Sequence, residues 1–343
     1  MINVAALTAG RFVPSSRFRV RQYIEPLRSL GVTVEEHRPR VEKYSFAPNR
    51  ALRPLWRVGK VLTRIPLLVG AWGSDVVWIE RDLIAGYYSL ERFLPRDAVL
   101  DVDDAIWMMG RPGYSERIAS RCRGVIAGNS FIAEHYRGIC ENVWLVPTSV
   151  DTELWKPRPR ARRSEWVIGW IGTASNLGYL KWIEEPLAAF LSRHEDARLL
   201  VVCDMEPEFK RIPRRSWSFE RWSEAREENL VHEMDLGLMP LPDIEWAKGK
   251  CGAKMVQYMA AGLPVLVSPV GTGADILASE KVGLAVTEPE GWASGLETFY
   301  RDRDLGQECG RRGREVVERS YSLGVNAPRL AQIFATVAGG GSL

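Results

Sequence analysis

Short apolar, β-rich runs alternate with helix-period segments along the whole chain, and this alternation restricts the fold more than any other feature. INVAAL near the start is followed by the helical pattern SRFRVRQYIEPLRSL and then by VTVEEH. DVVWIE, AVLDVDD, GVIAGNS and VWLVPT continue the series. Strands joined through helices lie parallel, and repeated units of this kind build a doubly wound sheet covered on both faces. The segment SVDTELWKPRPRARRSE then interrupts with a polar, proline-containing composition suited to a linker. WVIGWIG restarts the alternation, and LLVVC, DLGLMPL, LPVLVS and GLAVTE come after it. The expected class is α/β, with two Rossmann-like doubly wound domains. Their predicted bounds are 1–150 and 166–322, joined by a linker over 151–165. A helix over 323–338, free to return to the first domain, and a flexible tail over 339–343 complete the chain. A length of 343 residues fits two domains of ~150 each. Facing domains of this type are expected to line a cleft with the carboxyl ends of their strands, where open α/β sheets bind ligands.

The cysteines narrow the setting. Cys122, Cys140, Cys203, Cys251 and Cys309 are odd in number, scattered, and never in C-x-x-C spacing. That argues against a disulfide frame or a zinc site and for a reducing, cytoplasmic environment. No apolar run approaches the ~18 residues of a membrane span, and MINVAALTAGRF reads as a first strand rather than a leader.

Charge is unevenly divided. Residues 1–64 hold 13 Lys+Arg and 4 Asp+Glu, so they carry 13 − 4 = +9 within a chain whose net charge is +3. Arg50, Arg53, Arg57, Lys60 and Arg64 recur at helical spacing and are expected along one face, with Leu52, Leu55, Trp56, Val61, Leu62 and Ile65 supplying an apolar remainder. Such a helix suits an anionic membrane surface, here the inner face of the plasma membrane. It equally suits a domain that turns its apolar side to the core and its basic side to water. No nucleic-acid-binding module is recognisable.

The stretch GKCGAKMVQYMAAGLPVLVSPVG, Gly249 to Gly271, carries the most chemical information. Gly252 permits close backbone approach, and a short helix is expected from Ala253 to Ala261. Its start offers unpaired amides and a positive dipole end to an anion. Lys250 and Lys254 are one turn apart and both can reach that anion, while Gln257 is placed to hydrogen-bond a sugar hydroxyl. The expectation is a nucleotide-diphosphate cradle, with a solvated lysine face as its alternative.

This stretch resembles the signature of retaining glycosyltransferases of family 4, which have the two-Rossmann GT-B fold. Tyr258-Met-Ala-Ala-Gly262-Leu-Pro-Val265 matches the family's A-M-A-x-G-x-P-V segment, and Ser268-Pro-Val-Gly271 and Asp275-Ile276 match the family's next positions. PTSVDTELWKP resembles the interdomain segment, and IGWIGTASN the glycine loop of the second domain. The resemblance covers the second half well and the first half mainly by layout.

It implies a metal-independent, retaining transfer of a sugar from a UDP- or GDP-linked donor, with no cofactor. The acceptor is expected to be a cell-envelope glycan, a polysaccharide or a polyprenyl-linked molecule. In the family two glutamates flank this site. The second falls at Gln257, which keeps a ribose contact at lower charge. The first falls at Gly249, so its contact with the transferred sugar is missing or comes from Asp243 or Glu245. The family's Arg and Lys for the diphosphate are absent from GTASNLGYL, which leaves Lys250, Lys254, the Gly252 backbone and the Thr173 hydroxyl as replacements. Trp217 or Phe219 of RRSWSFERW falls where the base packs, with a surface-to-core transition as the other reading.

In the first half, Asp103 and Asp104 of the D-x-D-D run are candidates for meeting the transferred sugar or the acceptor. Helix capping and, by analogy with an unrelated fold, metal binding are the other readings of that run. Gly10, Ser15, Ser16 and Arg17, after the first strand, are candidates for the acceptor. Two alternatives accompany the transferase: a non-catalytic nucleotide-sugar-binding protein, favoured by the lost glutamate, and a sugar-nucleotide epimerase of the same fold, which would need a pair of acid–base carboxylates.

Overall fold

A computed structural model describes residues 1–45, 47–159 and 164–339. Part of the expected linker and residues 340–343 of the expected tail lie outside the described residues. The chain forms two compact units, one of Met1–Ser149, Gly249–Cys251 and the residues from Leu323 onward, the other of Val150–Lys248 and Gly252–Ser322.

The first unit is built on β1 (Ile2–Leu7), β2 (Val32–His37), β3 (Val76–Glu80), β4 (Ala98–Val102), β5 (Gly124–Ala127) and β6 (Val143–Leu145). All pairings are parallel, in the order β2-β1-β3-β4-β5-β6. Every residue of β3 and β4 is buried, as expected of parallel strands covered on both faces. The second unit contains β7 (Trp166–Ile171), β8 (Ala197–Cys203), β9 (Trp217–Arg221), β10 (Leu236–Met239), β11 (Val265–Val267) and β12 (Gly283–Ala285). These are also parallel, in the order β12-β11-β10-β7-β8-β9. Counted from β9, this is the Rossmann order 3-2-1-4-5-6, whose direction reverses between β7 and β10. In the first unit the reversal falls between β1 and β3.

The doubly wound, two-sheet expectation is borne out, with one strand that the sequence pattern did not reveal. RRSWSFERW was expected as an aromatic-basic connection, yet Trp217–Arg221 pairs along β8 as the sheet's edge. An edge strand is covered less than a central one, so it reads as mixed polar and apolar instead of as a continuous apolar run.

Five helices bear on function: α1 (Arg53–Leu62), α2 (Ile65–Ala71), α3 (Ala253–Ala260), α4 (Thr272–Ser279) and α5 (Leu323–Ala338). The last packs on the first unit's sheet. Leu323, Ala327, Leu330, Ile333, Phe334 and Val337 join the cluster that holds Val4, Tyr23, Val76 and Trp78. Their recurrence at i, i+4, i+7, i+10, i+11 and i+14 is one helical face. The Phe334 and Trp78 rings lie 5.1 Å apart and tilted by 57°. The segment after Val150 is held within the second unit. Arg314 donates to the carbonyls of Thr152, Trp155 and Ala260 at 2.9, 2.6 and 2.9 Å. Among the described residues, no helix is long and apolar enough to cross a membrane.

Truncating Phe334, which is fully buried, should leave a cavity beneath α5. Phe334→Ala is expected to lower stability by about 3–5 kcal/mol in urea unfolding. A loss below about 1 kcal/mol would mean that α5 is not part of this core.

Candidate functional site

In the second unit the site begins with one tyrosine. Its ring occupies the space left by Gly237 of β10, where an added Cβ would come within 2.3 Å of Tyr258 ring carbons. The Tyr258 hydroxyl accepts the Ile171 amide at the end of β7 (2.9 Å). Ring and hydroxyl therefore fix α3 against both strands of the reversal point. One turn earlier on α3, the Lys254 ammonium lies over the Trp170 ring, 4.4 Å from its centroid. It also borders Gly172, the first residue beyond β7, where an added Cβ would lie 2.9 Å from Lys254 Nζ and 2.4 Å from Trp170. Glycine is required there if lysine and indole are to keep their places.

The start of α3 adjoins the start of α4. Gly252, the N-cap, has a left-handed backbone (φ 65°), and its Cβ position lies 3.3 Å from the Thr272 side chain. Two helix amino ends thus meet beside a lysine, at the carboxyl ends of parallel strands. That arrangement favours a phosphate through amides, dipoles and formal charge together. Two buried polar atoms here lack a hydrogen-bond partner, Gln257 Nε2 and Thr272 Oγ1. Both residues are only 3% exposed. A buried donor left unsatisfied costs about 1–3 kcal/mol, so each is suited to receive a hydroxyl or oxygen from a ligand. Thr272 was not singled out in the sequence; the signal available was its place directly after the glycine turn of SPVG.

Several expected contacts are used otherwise. Thr173 Oγ1 accepts from Asn176 Nδ2 and bonds Ser175 Oγ, both at 2.9 Å, while Asp204 takes the next amide, Ala174 N, at 2.6 Å. The loop after β7 therefore offers Gly172 rather than Thr173 to a ligand. Trp217 is a core residue, 6% exposed, packed edge-on against Phe209 with Arg214 over its face. It opens β9 and so sits at the amino end of the sheet, the wrong end for a base contact. Phe219 lies mid-strand and packs against the same core. Trp217 is thus not available for stacking in this structure, while Phe219 keeps part of its surface exposed.

Lys250 belongs to the first unit, where its Nζ is 2.9 Å from Asp104 Oδ1. Asp103 and Asp104 are also gripped by Arg81, at 2.5 and 2.7 Å. Arg81 is the one non-glycine with a left-handed backbone among the described residues (φ 60°). That conformation costs about 1–2 kcal/mol and is held here by the two-carboxylate grip. Burial alone would push the Asp103 carboxyl up, but the charge and hydrogen bond of Arg81, with Arg19 and Lys250, hold it below the usual range. These aspartates are ion-paired, so the expected sugar contact would need the pairs to open. Lys250 is paired with Asp104 here, so the diphosphate contact expected of it would likewise need that pair to open. Among the described residues, no group of three or more His, Cys, Asp or Glu is placed to hold a metal ion.

The position of the family's first glutamate has no room for a side chain. A Cβ on Gly249 would lie 2.6 Å from the Ala105 amide nitrogen and 2.7 Å from its Cβ. Glu245 is exposed and pairs with Lys248 at 2.5 Å.

At the first unit's own reversal point, Ser15 and Ser16 donate to the Glu80 carboxylate at 2.5 and 2.6 Å, and Ala9 N donates at 2.8 Å. The two serines hold Glu80, a residue the sequence did not flag, and are not open to an acceptor. Gly10 makes room for Glu42, whose Cγ would lie 2.9 Å from an added Cβ. Arg17 stacks on Phe18 at 4.3 Å.

This architecture is that of the GT-B glycosyltransferases. Sucrose-phosphate synthase of Thermosynechococcus elongatus aligns with a TM-score of 0.72 over 99% of this chain and 100% of its own, at 14% identity. HepE of Anabaena, solved with UDP and glucose, aligns at 0.69 over 98% and 100%, also at 14% identity. Residues 165–302, which lie in the second unit apart from Gly249–Cys251, match the family model described as Glycosyl transferases group 1. The alpha-1,3/1,6-mannosyltransferase ALG2 of Rhizomucor pusillus is 30% identical over 80 residues, a match that spans 23% of this chain and 18% of that protein.

Replacing Arg81 by methionine should leave two buried carboxylates against each other and cost about 3–5 kcal/mol at neutral pH. The sign with pH is set by Asp103. In the native chain its folded pKa lies below the unfolded value of ~3.9, so its stabilisation is present above about pH 4 and lost as pH falls through the folded value. Without Arg81, burial raises the folded value and the contribution reverses. The deficit of Arg81→Met in urea midpoint should therefore shrink as pH falls below about 4. A deficit that stays constant with pH would rule out an electrostatic origin.

Proposed function

We propose that the protein is a glycosyltransferase that binds a nucleotide-diphosphate sugar in its second unit and transfers the sugar to a glycan or lipid-linked acceptor with retention. The observation that carries this reading is the convergence of Lys254, Gly172, the amino ends of α3 and α4, and the unsatisfied Gln257 and Thr272 groups. Together they offer positive charge for a diphosphate and buried hydrogen-bonding groups for a ribose. The match of residues 165–302 to glycosyl transferases group 1, and the UDP and glucose bound by HepE, support the same donor class.

The chemistry asked of these residues is specific. Breaking the bond between sugar and diphosphate leaves negative charge on the departing phosphate and an oxocarbenium-like sugar. Lys254 and the helix amides are already aimed where that negative charge grows, and removing one such donor costs on the order of a hundredfold in rate. Gln257 takes the ribose contact through an amide, which gives and accepts hydrogen bonds without adding negative charge beside the diphosphate.

A second reading has its own support. The closed space at Gly249 removes the side chain that meets the transferred sugar in the resembled family, which favours a nucleotide-sugar-binding protein without turnover. Tight donor binding with neither transfer nor slow donor hydrolysis would select that reading.

Thermal shift with UDP-, GDP- and ADP-sugars tests the donor site, because a ligand at 100 times its Kd adds about 2.7 kcal/mol of stability. Lys254→Ala is expected to abolish the shift and leave the unliganded melting temperature unchanged within about 2 °C. Gln257→Ala should weaken binding roughly tenfold, the worth of one buried hydrogen bond. An undiminished shift in Lys254→Ala would remove the proposed diphosphate contact.

A further inference from the structure

The cations expected to form an outward basic face are divided by the structure. Arg64 is 1% exposed and donates to the carbonyls of Leu83, Val41 and Lys60 at 2.8, 3.1 and 2.7 Å. Lys60 donates to the Lys43 carbonyl at 2.7 Å. Only Arg50, Arg53 and Arg57 remain exposed. Long cationic chains can cross apolar surface to reach carbonyls, and these two tether α1 that way.

The outward surface is therefore apolar. Leu55 and Val69 are 70% exposed, Trp72 is 65% exposed, and Leu62 is 57% exposed. Leu52, Val58 and Ile65 are exposed as well, which gives a series at steps of 3, 3, 4, 3, 4 and 3 across α1 and α2. Not one residue of α1 is buried. A ten-residue helix is marginal by itself in water, and its stability ordinarily comes from burying one face. Here that face is left outside. Charge states which kind of surface would cover it. Between Glu42 and Asp75 the chain has no acidic residue; of the three exposed arginines, Arg53 and Arg57 stand on α1 beside the stripe and Arg50 in the turn just before it.

We propose that α1 and α2 dock on an anionic lipid bilayer, with Leu55, Leu62, Val69 and Trp72 entering the headgroup–acyl boundary and Arg50, Arg53 and Arg57 contacting lipid phosphates. Aliphatic side chains gain by leaving water, tryptophan prefers the interface, and cations gain from the negative surface potential. A second copy of the chain would answer the apolar stripe but not the unbalanced charge. The docking does not depend on the transferase reading, since it is measured without donor.

The test is co-sedimentation of the full chain with vesicles of phosphatidylcholine alone and of phosphatidylcholine mixed with phosphatidylglycerol. Wild-type protein is expected to pellet with the mixed vesicles and weakly or not at all with the neutral ones. A variant with Leu55→Ser, Val69→Ser and Trp72→Ser, all at exposed positions, should keep its melting temperature and lose pelleting. A variant with Arg50→Gln, Arg53→Gln and Arg57→Gln should lose about a hundredfold in partitioning, at roughly fivefold per arginine. The proposal is overturned if wild-type protein stays in the supernatant with both vesicles, or if the serine variant pellets like wild type. It is equally overturned if sedimentation velocity shows a wild-type dimer that the serine variant dissolves while lipid pelleting is unaffected.

Discussion

The proposed donor site rests on the packing of one tyrosine into one glycine. Tyr258 enters the space above Gly237 and takes the Ile171 amide, and this fixes both the height and the rotation of α3 on the sheet. A helix so placed sets its amino end beside the carboxyl end of β7, at the point where the strand order reverses. Lys254 and Gly172 then meet because each lies within one turn or one residue of the anchored atoms. A phosphate-sized anion would be favoured there, since amides, dipole and ammonium all carry the same sign.

The first unit has a similar layout and uses the corresponding positions in another way. Its strand ends carry charges that are all answered: Glu80 by the Ser15 and Ser16 hydroxyls and the Ala9 amide, Arg19 by Asp101 at 2.8 Å, and Arg81 by Asp103 and Asp104. Buried charges of this kind are tolerated only when paired, and breaking a pair costs more than the pair contributes. Two Rossmann-like units with parallel sheets thus differ in what they present: in the second, unsatisfied groups and positive charge; in the first, a neutralised network. Fold alone does not carry that distinction.

How much could be read beforehand depended on whether the signal was local. Short apolar or β-branched runs betrayed every strand but Trp217–Arg221, one of four edge strands: central parallel strands are buried on both sides and their burial is written in consecutive letters, whereas WSFER mixes polar and apolar residues. The GAKMVQYMAAGLPVLV stretch pointed to a helix start and its lysine, because glycine at a cap and cation on the first turn are neighbours in sequence. Arg81 and Glu80 went unread, since their partners at Asp103, Asp104, Ser15 and Ser16 are distant along the chain. The helical spacing of Arg50 to Arg64 gave the periodicity but not the direction: carbonyls of Val41 and Leu83 draw Arg64 inward and leave the leucines outside.

Sequence by itself determined the parallel, doubly wound architecture and set glycine, lysine and glutamine around one helix start, since both arise from short-range periodicity and from the types of neighbouring side chains. Tertiary structure alone decided which of those residues stay available. It assigned Lys250 to Asp104, buried Trp217, closed Gly249 against Ala105 and turned the apolar stripe of α1 and α2 to the outside. Each of these outcomes depends on which distant group comes within bonding or contact distance, and no local pattern encodes that.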